Sequence, residues 1–125
     1  MNQISDRVQT GTIGELLVQI RLLQYGVQAA PPLKDSGNDL IAIKGREFRA
    51  VSVRTTTRSR FIKPNDARLY HVLAVVHLVG HDRTVLLDES ELFLIPQTDV
   101  RDVPDCCERL ERYRCSEDLV GQLFG

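Results

Sequence analysis

The chain has few cysteines and no long hydrophobic segment, and both absences exclude classes of protein. Three cysteines in 125 residues are an odd number at low density, which argues against a disulfide framework. The longest uncharged apolar stretch, residues 69–80, is too short to cross a bilayer. The first ten residues lack the basic start and apolar core of a secretory signal, so a cytoplasmic location is expected.

Length and composition predict one globular domain. Apolar residues make up 42% of the chain and charged residues 26%, which is ordinary for a folded domain and atypical of a disordered one. A chain of 125 residues lies in the usual range for one domain, roughly 100–200 residues. The sequence has no internal repeat, linker or low-complexity tract, which predicts that residues 1–125 form one unit.

The formal net charge is only −1, but the charges are unevenly distributed. Residues 44–68 contain eight basic and two acidic side chains, and residues 82–125 contain eleven acidic and five basic ones. A neutral protein with one basic segment can present a face that binds polyanions. The alternative is that these charges only solvate strand and loop positions.

Hydrophobic spacing predicts a helix near the start. Apolar residues recur three or four positions apart at Ile13, Leu16, Leu17, Ile20 and Leu23. The pattern predicts an amphipathic helix over about residues 11–25, ended by Gly26. Thr10 and Thr12 are candidate N-caps, and Thr12 with Glu15 fits a capping box.

The remaining pattern predicts a mixed sheet flanked by helices. Residues 39–43 and 48–55 form a predicted hairpin, 69–79 a strand buried on both faces, and 84–88 another strand. Residues 55–67 are polar and basic and predict a loop or irregular arm, whereas 89–95 fit either a helical turn or an edge strand. Short helices are expected at 106–114 and 117–124, with Ser116 capping the second. The expected fold is α/β or α+β, with four to five strands.

Candidate chemistry lies at Glu15, Asp39, Ser52 and Arg54. Asp39 begins the first hairpin strand, and Ser52 and Arg54, two apart on the second, share a face of the sheet. A helix packed across that sheet can bring Glu15, expected in its first turn, to the same place. Such an oxygen-rich cluster permits a divalent metal site for phosphodiester hydrolysis. Alternatively, Glu15 only caps the helix, Asp39 binds loop amides, and Arg54 forms a structural ion pair with one of them.

The ordered combination of three short segments resembles the PD-(D/E)xK, or restriction-endonuclease-like, nuclease superfamily. Residues 12–15 read Thr-Ile-Gly-Glu, residues 37–42 read Gly-Asn-Asp-Leu-Ile-Ala, and residues 49–56 read Arg-Ala-Val-Ser-Val-Arg-Thr-Thr. The resemblance covers about residues 10–79 and leaves the expected C-terminal helices, residues 100–125, outside it. Each segment alone is common, so the argument depends on their order and spacing.

The resemblance implies a Mg²⁺- or Mn²⁺-dependent DNA endonuclease in which Glu15 and Asp39 hold the metal. Ser52 stands where the family has Glu or Gln, and Arg54 stands where it has the catalytic lysine. A serine hydroxyl is a weak neutral ligand, and arginine cannot release a proton, although its planar fork can still bind a phosphate. The weakened site leaves two classes of function open: a nuclease, or an inactive nuclease-fold module that binds DNA or protein.

The expected partner in either class is DNA, bound by a basic arm that contains Arg58, Arg60 and Lys63. The alternative is that these three side chains only solubilise a loop. A homodimer is implied by the resemblance alone, since small nucleases of this kind often use two copies to cut two strands. The histidines and cysteines lack the spacing of a zinc site, and no Gly-rich phosphate loop is present.

Overall fold

A five-stranded sheet forms the centre of the computed structural model, which describes residues 6–33, 38–64, 69–81 and 84–125. Across the sheet the strands lie in the order β1 (Gln28–Ala30), β2 (Leu40–Lys44), β3 (Glu47–Thr56), β4 (Val72–His77) and β7 (Glu91–Pro96). The β3–β4 pair is parallel and the other three pairs are antiparallel. The predicted mixed sheet and α+β class are therefore confirmed.

The remaining elements are short, except for the first helix. The helices are α1 (Asp6–Gln24), α2 (Gln97–Val100) and α3 (Glu117–Phe124). The strands β5 (Gly80–His81) and β6 (Thr84–Val85) form a separate two-stranded ribbon, so the strand predicted at 84–88 is shorter than expected. Strand β1 was not predicted, and β7 settles the ambiguity over residues 89–95 in favour of a strand. No helix of the described residues is long and apolar enough to span a membrane.

Helix α1 ends as predicted but begins earlier than predicted. Its end is a Schellman motif: Gly26 has φ of 82°, the Val27 N–H donates to the Leu22 carbonyl at 2.9 Å, and the Gly26 N–H to that of Leu23 at 3.0 Å. Because the helix starts at Asp6, Thr12 lies inside it and the predicted capping box is wrong. Glu15 is accordingly in the middle of the helix and not in its first turn.

The face of α1 that packs on the sheet is rotated from the predicted one. Leu17, Val18 and Leu22 are buried in the core, whereas the predicted core residues Leu16, Ile20 and Leu23 are 51%, 50% and 60% exposed. The reason lies at Gly14, which has no side chain and allows α1 to approach β3 at Thr55. That close contact fixes which side of the helix faces the sheet.

The sheet separates two hydrophobic cores. Val51 and Val53 of β3 face the α1 core, together with Leu17, Val18 and Leu22. Phe61, Tyr70, Leu73, Val75 and Phe93 belong to the core on the opposite face, and Ala50 of β3 packs against it. Strand β4 contributes buried residues to both cores, as the sequence predicted for residues 69–79.

The C-terminal segment differs from the predicted pair of helices. Residues 106–114 form two 3-10 turns (Cys107–Arg109 and Glu111–Tyr113) and not an α-helix. The segment pairs with the arm instead: the Cys107 N–H donates to the Ser59 carbonyl at 2.7 Å, and the Phe61 N–H donates to the Asp105 carbonyl at 3.1 Å. Helix α3 and its cap are confirmed, because the Ser116 Oγ accepts a hydrogen bond from the Leu119 N–H at 3.1 Å.

Candidate active site

Asp39 lies beside the middle of β3, at the entrance of β2. Its backbone N–H donates to the Val51 carbonyl at 3.0 Å, and its Oδ2 accepts a hydrogen bond from the Val53 N–H at 2.7 Å. Since the N–H groups of a strand point along the sheet, the carboxylate lies at the level of the sheet, next to the backbone that joins Ser52 to Arg54. The prediction that Asp39 meets this segment is therefore supported, and so is the alternative that Asp39 binds a backbone amide.

Glu15 approaches the same place from α1. It follows Gly14, whose contact with Thr55 holds this part of the helix against β3. Partial burial raises the pKa of the Glu15 carboxyl, and the negative charge of Asp39 raises it further. The two carboxylates therefore lie within electrostatic range of each other, and their convergence on one metal ion stays a prediction.

Ser52 and Arg54 lie on the face of the sheet opposite α1. Their neighbours Val51 and Val53 belong to the α1 core, so the alternation of a strand places Ser52 and Arg54 with Ala50 on the other face. Ser52 is only 4% exposed. The predicted shared face of Ser52 and Arg54 is present, but it lies on the other side of the sheet from α1, the helix that carries Glu15.

Arg54 has no ionic partner in the described part of the chain. None of the ion pairs formed by those residues includes Arg54, and its Nε is buried without a hydrogen-bond partner. The alternative of a structural ion pair with Asp39 or Glu15 is therefore not seen. A guanidinium in this state keeps its donors available for another anion.

The carboxylate oxygens of Glu15 and Asp39 are hard donors that could bind a metal ion. Within residues 6–33, 38–64, 69–81 and 84–125, no group of three His, Cys, Asp or Glu side chains is arranged to hold an ion. The two carboxylates of Glu15 and Asp39 nevertheless fit a hard divalent cation such as Mg²⁺ or Mn²⁺. The donor set is small, which predicts weak binding.

The basic arm is partly tied down. Arg60 forms an ion pair with Asp105 at 3.3 Å, and the Lys63 ammonium donates to the carbonyls of Arg101 and Val103. Arg58 is exposed, and its side chain makes no hydrogen bond with a described residue, while its N–H donates to the Thr56 Oγ1 at 3.0 Å. Arg58 is thus the arm residue most available to a polyanion. Residues 65–68, which complete the predicted basic segment, lie outside the described residues, as does Gly37 of the loop before Asp39.

Tyr70 is a residue that the sequence analysis did not identify. It is 4% exposed in the core opposite α1, and its hydroxyl is buried without a hydrogen-bond partner. Burial raises the pKa of this hydroxyl, and the positive charge of Arg54 acts in the opposite direction. The sequence alone does not indicate that the hydroxyl of a tyrosine before an apolar strand is buried and unpaired, because its burial depends on the tertiary structure.

One solved structure supports a nuclease-like fold for this chain. No family model matches the chain, and no curated protein matches it either. Among solved structures, the chain is similar to a bacterial homing endonuclease, I-Ssp6803I, with a TM-score of 0.59 and 14% identity. The match covers 77% of this chain and 72% of that one. The protein therefore has a nuclease-like fold, and the more specific PD-(D/E)xK resemblance stays a prediction.

Proposed function

We propose that the protein is a DNA-binding nuclease with a weakened, divalent-metal-dependent site of the PD-(D/E)xK type. The observation that carries the proposal is the placement of Asp39, whose carboxylate accepts a hydrogen bond from the Val53 N–H of β3 and whose charge, together with burial, raises the pKa of Glu15. A pair of nearby carboxylates is unfavourable by itself and becomes favourable when a cation lies between its members. The nuclease-like fold supports the same conclusion.

In this proposal Glu15 and Asp39 hold Mg²⁺ or Mn²⁺, and Ser52 adds at most a neutral hydroxyl. A bound divalent ion would supply positive charge for the developing charge on the phosphate and favour deprotonation of water. The hydrogen bond from the Val53 N–H fixes the orientation of the Asp39 carboxylate at 2.7 Å, so little reorganisation is needed on binding.

Arg54 has the role of binding the phosphate. Its guanidinium can donate two parallel hydrogen bonds to phosphate oxygens, and it stays charged at every physiological pH. For the same reason it cannot accept or release a proton as a lysine can, so it binds substrate without activating water. We therefore expect slow cleavage with preserved binding of the DNA backbone.

A cleavage assay with matched variants tests the proposal. Nicking of supercoiled plasmid is measured with Mn²⁺, with Mg²⁺ and with EDTA, and Mn²⁺ affinity is measured by calorimetry. We expect Mn²⁺-dependent nicking that D39N abolishes together with most of the metal affinity, because one anionic ligand becomes neutral. The control is D88N, which removes an exposed carboxylate from the turn before β7 and should change neither measurement. Nicking by D39N at the wild-type rate would contradict the assignment.

A second candidate is an inactive nuclease-fold module that binds DNA or protein. Ser52 favours it, because a buried neutral side chain replaces the third anionic or carbonyl ligand. This candidate predicts DNA binding without cleavage at any Mn²⁺ concentration. The plasmid assay and a binding assay on the same preparation therefore separate the two candidates.

The homodimer and the cytoplasmic location stay predictions. Molar mass from light scattering, measured with and without duplex DNA, tests the first. Two copies on one duplex would allow both strands to be cut, and a single copy would limit the protein to nicking. Fractionation of cells tests the second.

A further inference from the structure

Two buried polar groups lack partners on the face of the sheet opposite α1. They are the Nε of Arg54, on β3, and the hydroxyl of Tyr70, which precedes β4. Neither atom forms a hydrogen bond within the part of the chain that the structure describes. Buried polar groups in folded proteins are almost always hydrogen-bonded, and an unpaired one destabilises the native state. Each of these groups therefore needs an explanation.

Both groups belong to one neighbourhood. Tyr70 lies in the core that contains Leu73 and Val75 of β4, and Arg54 lies on the same face of the neighbouring strand β3. Burial raises the pKa of the Tyr70 hydroxyl and the positive charge of Arg54 lowers it, so the two groups lie within electrostatic range of each other. The guanidinium Nε and the hydroxyl, both buried and unpaired on one face of the sheet, can serve one ligand.

The chemistry of the two groups defines that ligand. A guanidinium only donates hydrogen bonds and carries a positive charge, and a phenol hydroxyl can donate one more. An oxyanion accepts from both and neutralises the charge, with hydrogen bonds stronger than those between neutral groups. A neutral ligand would leave the buried charge of Arg54 uncompensated, which is unfavourable.

We infer that Tyr70 and Arg54 together form a phosphate-binding subsite, in which Tyr70 is a positioning residue for the phosphodiester that the candidate active site takes. The inference rests on the proposed function for the identity of the ligand. The unpaired Tyr70 hydroxyl destabilises the free protein, and its hydrogen bond to the bound oxyanion offsets this destabilisation. The unpaired hydroxyl is thus a binding feature and not a defect of packing.

The variant Tyr70→Phe tests this inference because it removes only the hydroxyl. We expect two effects of opposite sign: Y70F raises the unfolding midpoint of the free protein, and it weakens the binding of a short duplex in EDTA about tenfold, the effect of one lost charge-assisted hydrogen bond. The control is Tyr113→Phe. The Tyr113 hydroxyl donates to Asp99 Oδ2 at 2.9 Å, so Y113F should lower the midpoint and leave binding unchanged.

A parallel titration with inorganic phosphate separates the subsite from the proposed function. Phosphate should raise the unfolding midpoint of the wild type and have little effect on Y70F or Arg54→Gln, with chloride at equal ionic strength as the reference. If the wild type binds no DNA, the proposed function is wrong, and the phosphate titration still decides the role of Tyr70. Equal phosphate or DNA affinity of Y70F and the wild type would overturn the inference. So would a lower unfolding midpoint of Y70F, because a purely structural hydroxyl would give that result.

Discussion

Gly14 of α1 lies so close to Thr55 of β3 that a Cβ atom on Gly14 would be 1.9 Å from the Thr55 Oγ1. The Gly14 backbone and the Thr55 side chain therefore meet without room for a methyl group. This contact holds against β3 the turn of α1 that carries Glu15, whose pKa is raised by burial and by the charge of Asp39. The position of the candidate metal site depends in this way on the absence of a side chain one residue away from it.

The first prediction compares two glycines of the same helix. Gly14→Ala should lower the free energy of unfolding by about 1–3 kcal/mol, since α1 must move away from β3. Gly11→Ala, at a position where a Cβ meets nothing within 4 Å, should instead stabilise the protein by up to about 1 kcal/mol through helix propensity. Urea unfolding measures both variants. A stabilised G14A variant would show that the contact is looser than described.

The second prediction uses the raised pKa of Glu15, which is caused first by burial and second by the charge of Asp39. Because the pKa of Glu15 is raised on folding, the native state binds this proton more tightly than the unfolded chain does. The stabilisation is present below the unfolded pKa, near 4.5, and is lost as the pH rises through the raised folded value. Glu15→Gln should therefore be more stable than the wild type at pH 8 in EDTA, and the difference should disappear towards pH 4.5.

Unfolding midpoints across this pH range, with EDTA or with Mg²⁺, check the second prediction. Mg²⁺ should stabilise the wild type at pH 8, since binding to the native state adds free energy, and it should stabilise E15Q less. A wild type that is more stable than E15Q at pH 8 in EDTA would mean that neither burial nor the charge of Asp39 disfavours the ionised Glu15 carboxylate in the native state.

The third prediction introduces at positions 52 and 54 the residues that the PD-(D/E)xK pattern has there. The double change Ser52→Glu with Arg54→Lys supplies a third anionic ligand and a compact ammonium, so metal affinity and Mg²⁺-dependent nicking should both rise. The new carboxylate enters a position that is 4% exposed, which should lower stability by about 1–3 kcal/mol. Arg54→Lys alone should change nicking little, and adding Asp39→Ala should abolish the gain. A folded double variant without any response to metal would contradict the placement of Ser52 in the site.

The fourth prediction concerns the arm. The affinity for duplex DNA should fall steeply with salt, because each phosphate contact releases counterions. Arg58→Ala should make the slope of log K against log [salt] shallower by about one unit, the change expected for the loss of one phosphate contact. Lys63→Ala should mainly reduce stability, since its ammonium donates to the carbonyls of Arg101 and Val103. Fluorescence anisotropy at several salt concentrations gives the slopes, and an unchanged slope for R58A would remove the arm from the DNA-binding surface.

Local signals predicted the parts of the fold that local chemistry determines. The glycine at position 26 ends α1, Ser116 caps α3, and the turn at Gly45 joins β2 to β3, all as the sequence predicted. Each depends on a few neighbouring residues. The start of α1 was mispredicted, and so was the shape of residues 106–114, since this segment pairs with the arm.

The candidate site, like the fold, could be predicted from the sequence only in part. The order of short motifs predicted a site of Glu15, Asp39, Ser52 and Arg54. In the structure, Asp39 is hydrogen-bonded to β3, and its charge contributes to the raised pKa of Glu15. The sequence could not show that Arg54 lacks an ionic partner or that Tyr70 has a buried, unpaired hydroxyl. Both are properties of the packed core, since they depend on which side chains fail to reach these groups.

The pairing of the arm with the C-terminal segment has a consequence for synthesis of the chain. Arg60 meets Asp105 across 45 residues, and the Phe61 N–H and the Ser59 carbonyl bond to Asp105 and Cys107. On the ribosome, β3 and the arm emerge well before those partners. Residues 59–61 of the arm can therefore form these bonds only after translation has passed Cys107.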